Sequence, residues 1–180
     1  NTMTNQLIDY GQTENLNANT LFRTGYTFTG WNTNINGLGT PYADQDPYLM
    51  GLGGQTLFAQ WSVNNYVLSY DGNNNTGGAT TSQNFTYNQT QALNSNGFIR
   101  TGYTFVEWNT SSDGLGLSYA EGENFTMPAS NIELSAIWAL DSYDVIFDDN
   151  NATSGTMANQ TIDFNTSENL NANAFERTGY

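Results

Sequence analysis

Apolar residues recur at every second position in short runs along this chain. Tyr66, Leu68 and Tyr70 alternate with Val67 and Ser69, and Tyr143, Val145 and Phe147 stand in the corresponding places further on. Phe85 and Tyr87 alternate with Asn84, Thr86 and Asn88, with counterparts at Ile8 and Tyr10 and at Ile162 and Phe164. Leu57, Ala59 and Trp61 alternate again, as do Leu134, Ala136 and Trp138. A period of two with one apolar face predicts half-buried antiparallel strands. Tyr26 and Phe28 begin another strand, but Trp31 falls on the opposite parity. That predicts a bulge or a strand end near Gly30, although Glu107 occupies the same place in the next copy. Asn- and Gly-rich stretches, Asp71-Gly72 through Gly78 and Asn36 to Gly39, read as hairpin connections because both residue types tolerate positive φ. The stretch around Leu93, repeated at Leu16 and Leu170, is the only candidate for a helix. The expected class is mostly β (α+β at most), with about four main strands per module, in antiparallel or mixed sheets, and at most one short helix.

The runs belong to a tandem repeat. Arg-Thr-Gly-Tyr occurs at Arg23, Arg100 and Arg177, 77 residues apart each time. Residues 23–99 align with 100–176 without a gap, and 30 of 77 positions are identical, among them core aromatics and turn glycines. A module that opens near Tyr66 closes near Trp138. In that frame 66–138 is a complete module, 1–61 a partial one without the first strand, and 143–180 a partial one without the last strands. An open sheet edge is a template for pairing, so neighbouring modules or copies of the chain are the expected partners. A copied unit suits a stalk, fibre or adhesin better than an active site, which seldom needs duplication at a fixed spacing.

Composition narrows the function further. The formal charge of −14 arises from 17 acids against three arginines, with no Lys and no His. Such a surface has no cationic patch for phosphates, so nucleic acid is excluded as a partner. No apolar run is long enough to cross a bilayer as a helix, which argues against direct membrane insertion. Aromatics at 14% argue against disorder. The absence of Cys and His removes disulfides, thiolate sites, the usual zinc sites and His-based triads.

The run from Arg100 to Phe105, followed by Trp108-Asn109-Thr110 and the glycines at Gly114 and Gly116, resembles the internalin-type B repeat, also called the Listeria–Bacteroides repeat. Its closing segment looks like Leu57-Phe58-Ala59-Gln60-Trp61, with a degraded copy at Leu134-Ser135-Ala136-Ile137-Trp138. The resemblance implies a small β-grasp-like module, carried in tandem on secreted cell-surface proteins in spacer, adhesion or surface-interaction roles without catalysis. The chain departs from the usual pattern in lacking Lys and in being rich in Asn. The resemblance carries over no functional residues.

Candidate chemistry is sparse. Asp44 with Asp46, and Glu121 with Glu123, are acid pairs at one repeat position, read more simply as solvated loops than as a glycosidase pair. Asp71 to Asn75 and Asp148 to Asn151 offer hard oxygen ligands, so Ca2+ is the one cofactor considered; the EF-hand spacing fails. Otherwise no cofactor, metal or catalytic residue is expected. Arg23, Arg100 and Arg177 should pair with a carboxylate or stack on a ring before the Tyr26-type strand. Sequons for glycosylation stand at Asn74, Asn84, Asn88, Asn109, Asn124, Asn151, Asn159 and Asn165, with Asn88 and Asn165 first choices. Trp31, Trp61, Trp108 and Trp138 read as core aromatics. The alternative is a carbohydrate-binding surface module that uses them as an exposed platform for host or surface glycans. The leading expectation is an extracellular structural or adhesive segment, not an enzyme.

Overall fold

The structure is a computed structural model that describes residues 2–179. It is built from strands: β1 (Thr13–Asn15), β2 (Tyr26–Asn32), β3 (Pro41–Tyr42), β4 (Pro47–Leu49), β5 (Phe58–Val63), β6 (Asn65–Asp71), β7 (Gly77–Gly78) and β8 (Gln83–Thr86). These are followed by β9 (Thr90–Ala92), β10 (Phe98–Ile99), β11 (Tyr103–Asn109), β12 (Ser118–Tyr119), β13 (Asn124–Thr126), β14 (Ile132–Leu140), β15 (Ser142–Val145) and β16 (Gln160–Asp163). The class is the mostly β one that the alternation predicts. No helix forms among the described residues. The stretch around Leu93 instead follows β9, and the Leu93 N–H donates to Glu123 O at 2.9 Å. Leu16, one period earlier, donates likewise to Asp46 O at 2.9 Å. These long-range pairings satisfy the backbone that a short isolated helix would have to satisfy alone.

The chain forms two compact units. The first comprises the described residues through Leu68, together with Gln83–Gln91 and Asn124–Ile132. Here β2 lies between β3 and β5, β1 pairs with β4, and β8 pairs with the first half of β6. Its core holds Trp31, Tyr48, Leu68, Phe85, Phe125 and Met127. The second comprises Ser69–Ser82, Ala92–Glu123 and the described residues from Glu133 on. Here β11 lies between β12 and β14, β14 is followed by β6, β10 pairs with β7, and β15 with β16. Its core holds Leu93, Trp108, Leu134 and Ala136.

The predicted bulge is present in both copies. Register shifts between Phe28 and Gly30 on β2, and between Phe105 and Glu107 on β11. One extra residue reverses the parity, so the ring of Phe28 reaches Trp31 at 5.1 Å and that of Phe105 reaches Trp108 at 4.9 Å. Gly30 has φ of 140° while Glu107 has none in the left-handed region, so the bulge does not require glycine.

Candidate inter-repeat joint

The Arg-Thr-Gly-Tyr segment is a tight turn. The Tyr26 N–H donates to Arg23 O at 3.0 Å, and Tyr103 N–H to Arg100 O at 3.0 Å. Gly25 and Gly102 sit at the third turn position with φ of 75° and 76°, where a type II turn demands glycine. The guanidinium of Arg23 lies 3.7 Å from the centre of the Tyr26 ring, and that of Arg100 lies 3.9 Å from Tyr103. Of the two alternatives for these arginines, the ring is what they face. The third copy of the motif ends at Tyr180, which lies outside the described residues.

The turn is also where one copy meets the start of the next. Gly25 O accepts the N–H of Asn64 at 2.9 Å, and Asn64 O accepts the N–H of Tyr87 at 2.9 Å. The Asn64 carbonyl side chain accepts the Thr27 hydroxyl at 2.6 Å. One period later Gly102 O accepts Asp141 N–H at 2.9 Å, Asp141 O accepts Phe164 N–H at 2.8 Å, and Asp141 accepts the Thr104 hydroxyl at 2.6 Å. The ring of Tyr87 covers Gly25 and meets Tyr26 edge-on at 5.9 Å, while the ring of Phe164 covers Gly102. Residue types differ at 64/141 and 87/164, yet the bonding pattern is the same, because each joint needs only an acceptor side chain and a flat ring.

A second repeated device holds the Asn/Gly turn. Asn109 is fully buried. Its carbonyl accepts the N–H groups of Ser111 (2.9 Å) and Gly116 (3.0 Å), and its amide donates to Gly114 O at 3.2 Å. Asn32 does the same for Asn34 (2.9 Å), Gly39 (2.9 Å) and Gly37 O (3.2 Å). In the second copy Asp113 accepts the Ser111 hydroxyl and the Leu115 N–H, which hold its carboxyl below the usual range. Burial pushes the Tyr70 hydroxyl above the usual phenol range, against the opposing pull of the Asn94 N–H that it accepts.

The remaining candidates fall as follows. Trp31 and Trp108 are buried, and Trp61 and Trp138 are half-buried. Each of the latter pair meets a phenylalanine edge-on, Phe28 at 5.6 Å and Phe105 at 5.8 Å. Each unit thus holds a Trp–Phe–Trp cluster, Trp31–Phe28–Trp61 in the first and Trp108–Phe105–Trp138 in the second. The acid pairs cap backbone: Asp46 accepts Ala43 N–H at 2.6 Å and Glu123 accepts Ala120 N–H at 2.8 Å. Asp44 and Glu121 accept the N–H groups of Asn19 and Asn96. The oxygen-rich turns are closed by Asp71 accepting Asn73 N–H at 3.1 Å and Asp148 accepting Asn150 N–H at 2.8 Å. Among the sequons, Asn74, Asn84, Asn88, Asn124, Asn151, Asn159 and Asn165 are exposed. The remaining sequon residue, Asn109, is buried, and its amide donates inside the turn.

Sequence reasoning missed the roles of Asn32 and Asn109 in the turn and of Asn64 and Asp141 in the joint. Recurrence of a polar residue directly after a core Trp was the available signal for the first pair. For the second there was little, because the residue type changes.

The signature of the Listeria–Bacteroides repeat domain matches residues 1–60 and again 66–137. The chain belongs to this family. Among curated relatives it is 37% identical over 134 residues to a protein of Evansella cellulosilytica that carries the name Gly-rich membrane protein, covering 71% of this chain and 16% of that one. It is 36% identical over 115 residues to Internalin H of Listeria monocytogenes, covering 62% of this chain and 19% of the relative. The chain thus spans less than a fifth of the length of either. No solved structure matches it. The two Listeria–Bacteroides repeats run in tandem, separated by the short segment that carries Asn64.

Proposed function

We propose that this chain is a segment of an extracellular, surface-attached tandem-repeat protein, and that it works as a structural spacer in a stalk, fibre or adhesin rather than as an enzyme. The observation that carries this reading is the recurrence of one joint, Gly25–Asn64–Tyr87 and then Gly102–Asp141–Phe164, with matching hydrogen bonds. A catalytic module gains nothing from a copied joint, whereas a spacer gains defined reach, because each added repeat then meets its neighbour in the same way. The family, and the naming of relatives as a membrane protein and an internalin, support the surface location. An acidic surface without lysine keeps such a spacer from adhering to nucleic acid or anionic lipid.

The test is to express arrays of increasing repeat number and measure their length by electron microscopy and small-angle scattering. A length rising in proportion to repeat number, with a narrow distribution, is the expected result. Chains of flexibly strung beads would remove the spacer reading.

A further inference from the structure

Asn-Gly occurs twice in the chain, at Asn36-Gly37 and Asn96-Gly97. A glycine after asparagine leaves the next amide nitrogen unshielded by any Cβ, so each pair carries the groups for a reaction with itself. The fold treats the two pairs differently.

Asn36 stands at the tip of the first Asn/Gly turn. Residues 34–38 are all exposed, Ile35 by 74% and Leu38 by 83%. The tip is as open in the second copy, where Leu115 is 87% exposed, so the exposure belongs to the turn itself. Asn36 Oδ1 accepts the Leu38 N–H at 3.1 Å, and its amide nitrogen holds no group among the described residues. The Gly37 N–H donates to Asn34 O at 3.0 Å, a single bond within this exposed turn, and such bonds open readily. Asn96 is locked by comparison. Its carbonyl accepts the Phe98 N–H at 2.9 Å and its amide donates to Phe98 O at 3.1 Å. The Gly97 N–H donates to the Thr80 hydroxyl at 2.8 Å, and Gly97 O accepts the Ala79 N–H at 3.1 Å. These bonds continue the β7–β10 pairing, so the Gly97 nitrogen comes free only when that hairpin opens.

We propose that Asn36 is a site of spontaneous self-modification. The Gly37 nitrogen attacks Cγ of Asn36 and a cyclic imide closes. The N–Cγ bond forms, the Cγ–Nδ2 bond breaks, and ammonia leaves with the proton from Gly37. The Leu38 N–H faces the oxygen on which negative charge gathers during the attack. Water then opens the ring at either carbonyl, giving ordinary aspartate or an isoaspartyl linkage. The fit of the first product is visible one period on. Asp113 occupies the counterpart place, and its carboxylate accepts the Leu115 N–H at 3.0 Å in the same turn. The second product puts an extra methylene into the backbone between Asn34 and Gly39, whose N–H groups Asn32 grips at 2.9 Å each. One outcome therefore adds a charge to a turn that accepts it, and the other loosens the turn. The second copy has no amide to lose at this place. The inference does not rest on the spacer reading.

The test incubates the 180-residue chain in neutral buffer for weeks and maps both sites by peptide mass spectrometry. In the folded chain Asn36 should convert faster than Asn96 by about tenfold or more, because hairpin opening gates the latter. In urea the two rates should draw together. The aspartyl product should melt with an Asn36→Asp variant, and the isoaspartyl chain, separated by chromatography, should melt below both. Equal rates in the folded chain, faster loss at Asn96, or a gap that persists unchanged in urea overturns the assignment. An isoaspartyl chain that melts with the unmodified one overturns the loosening.

Discussion

The ring of Tyr87 lies so close over Gly25 that a Cβ built on the glycine would stand 2.1 Å from the ring's Cγ. Phe164 bears the same relation to Gly102, with 2.0 Å to its Cδ1. The glycine of the Arg-Thr-Gly-Tyr motif therefore serves two demands at once, a positive φ and a flat seat for a ring from 62 residues away. The motif is shared by consecutive copies because its partner is shared.

Gly102→Val should strain the turn and collide with the Phe164 ring. Left-handed backbone and overpacking together predict a loss of about 2 to 4 kcal/mol. Phe164→Ala removes the collision, so the double variant should lose less than the two single losses added together, by about 1 kcal/mol or more. Urea unfolding followed by tryptophan fluorescence measures this. Strict additivity would mean that ring and glycine do not act as a unit.

Asn109→Ala leaves the N–H groups of Ser111 and Gly116 without their acceptor inside a part-buried turn. A loss of about 2 to 4 kcal/mol is expected from those unmet groups. Asn32→Ala should act in the same direction, since its network is the same. Calorimetry on both variants reads the effect; an unchanged melting temperature in either would show that water replaces the side chain at no cost.

Acid should weaken the second Asn/Gly turn more than the first. The Asp113 carboxyl is held below its ordinary range by the Ser111 hydroxyl and then the Leu115 N–H. A depressed folded-state value means stability present above the unfolded value of 3.8 and lost as pH falls through the folded one. The first copy has Asn36 at this place, accepting Leu38 N–H at 3.1 Å with no charge to titrate. Asp113→Asn should therefore flatten the fall in melting temperature below about pH 4. A fall of equal steepness in that variant would assign it to other carboxyls.

Expressed in a host that modifies sequons, the chain should carry glycan at exposed Asn88 and none at Asn109. Site occupancy by peptide mass spectrometry decides it. Glycan found on Asn109 would mean modification before folding, since folded Asn109 is fully buried.

Much of the fold was legible because alternation and repeat are local properties of the chain. Leu68, Phe85 and Leu134 were on the apolar parity of their runs and are all buried. The parity break at Trp31 pointed to a bulge that both copies contain. The stretch around Leu93 gave no such clue, because its backbone is satisfied by Glu123, 30 residues away in sequence. Asn109 read as a sequon since the triplet Asn109-Thr110-Ser111 says nothing about burial.

The amino-acid order alone determined the period of 77, most of the main strands and the family, for a pleated backbone turns side-chain alternation directly into faces; the run at Ile8 and Tyr10 forms no strand, and Tyr10 and Tyr143 are exposed. Only the tertiary structure decided which ring covers Gly25 and that Asn32 and Asn109 are turned inward. Those outcomes depend on which distant backbone groups arrive together and on how much surface each arrival removes from water, and neither quantity is written in any short stretch of sequence.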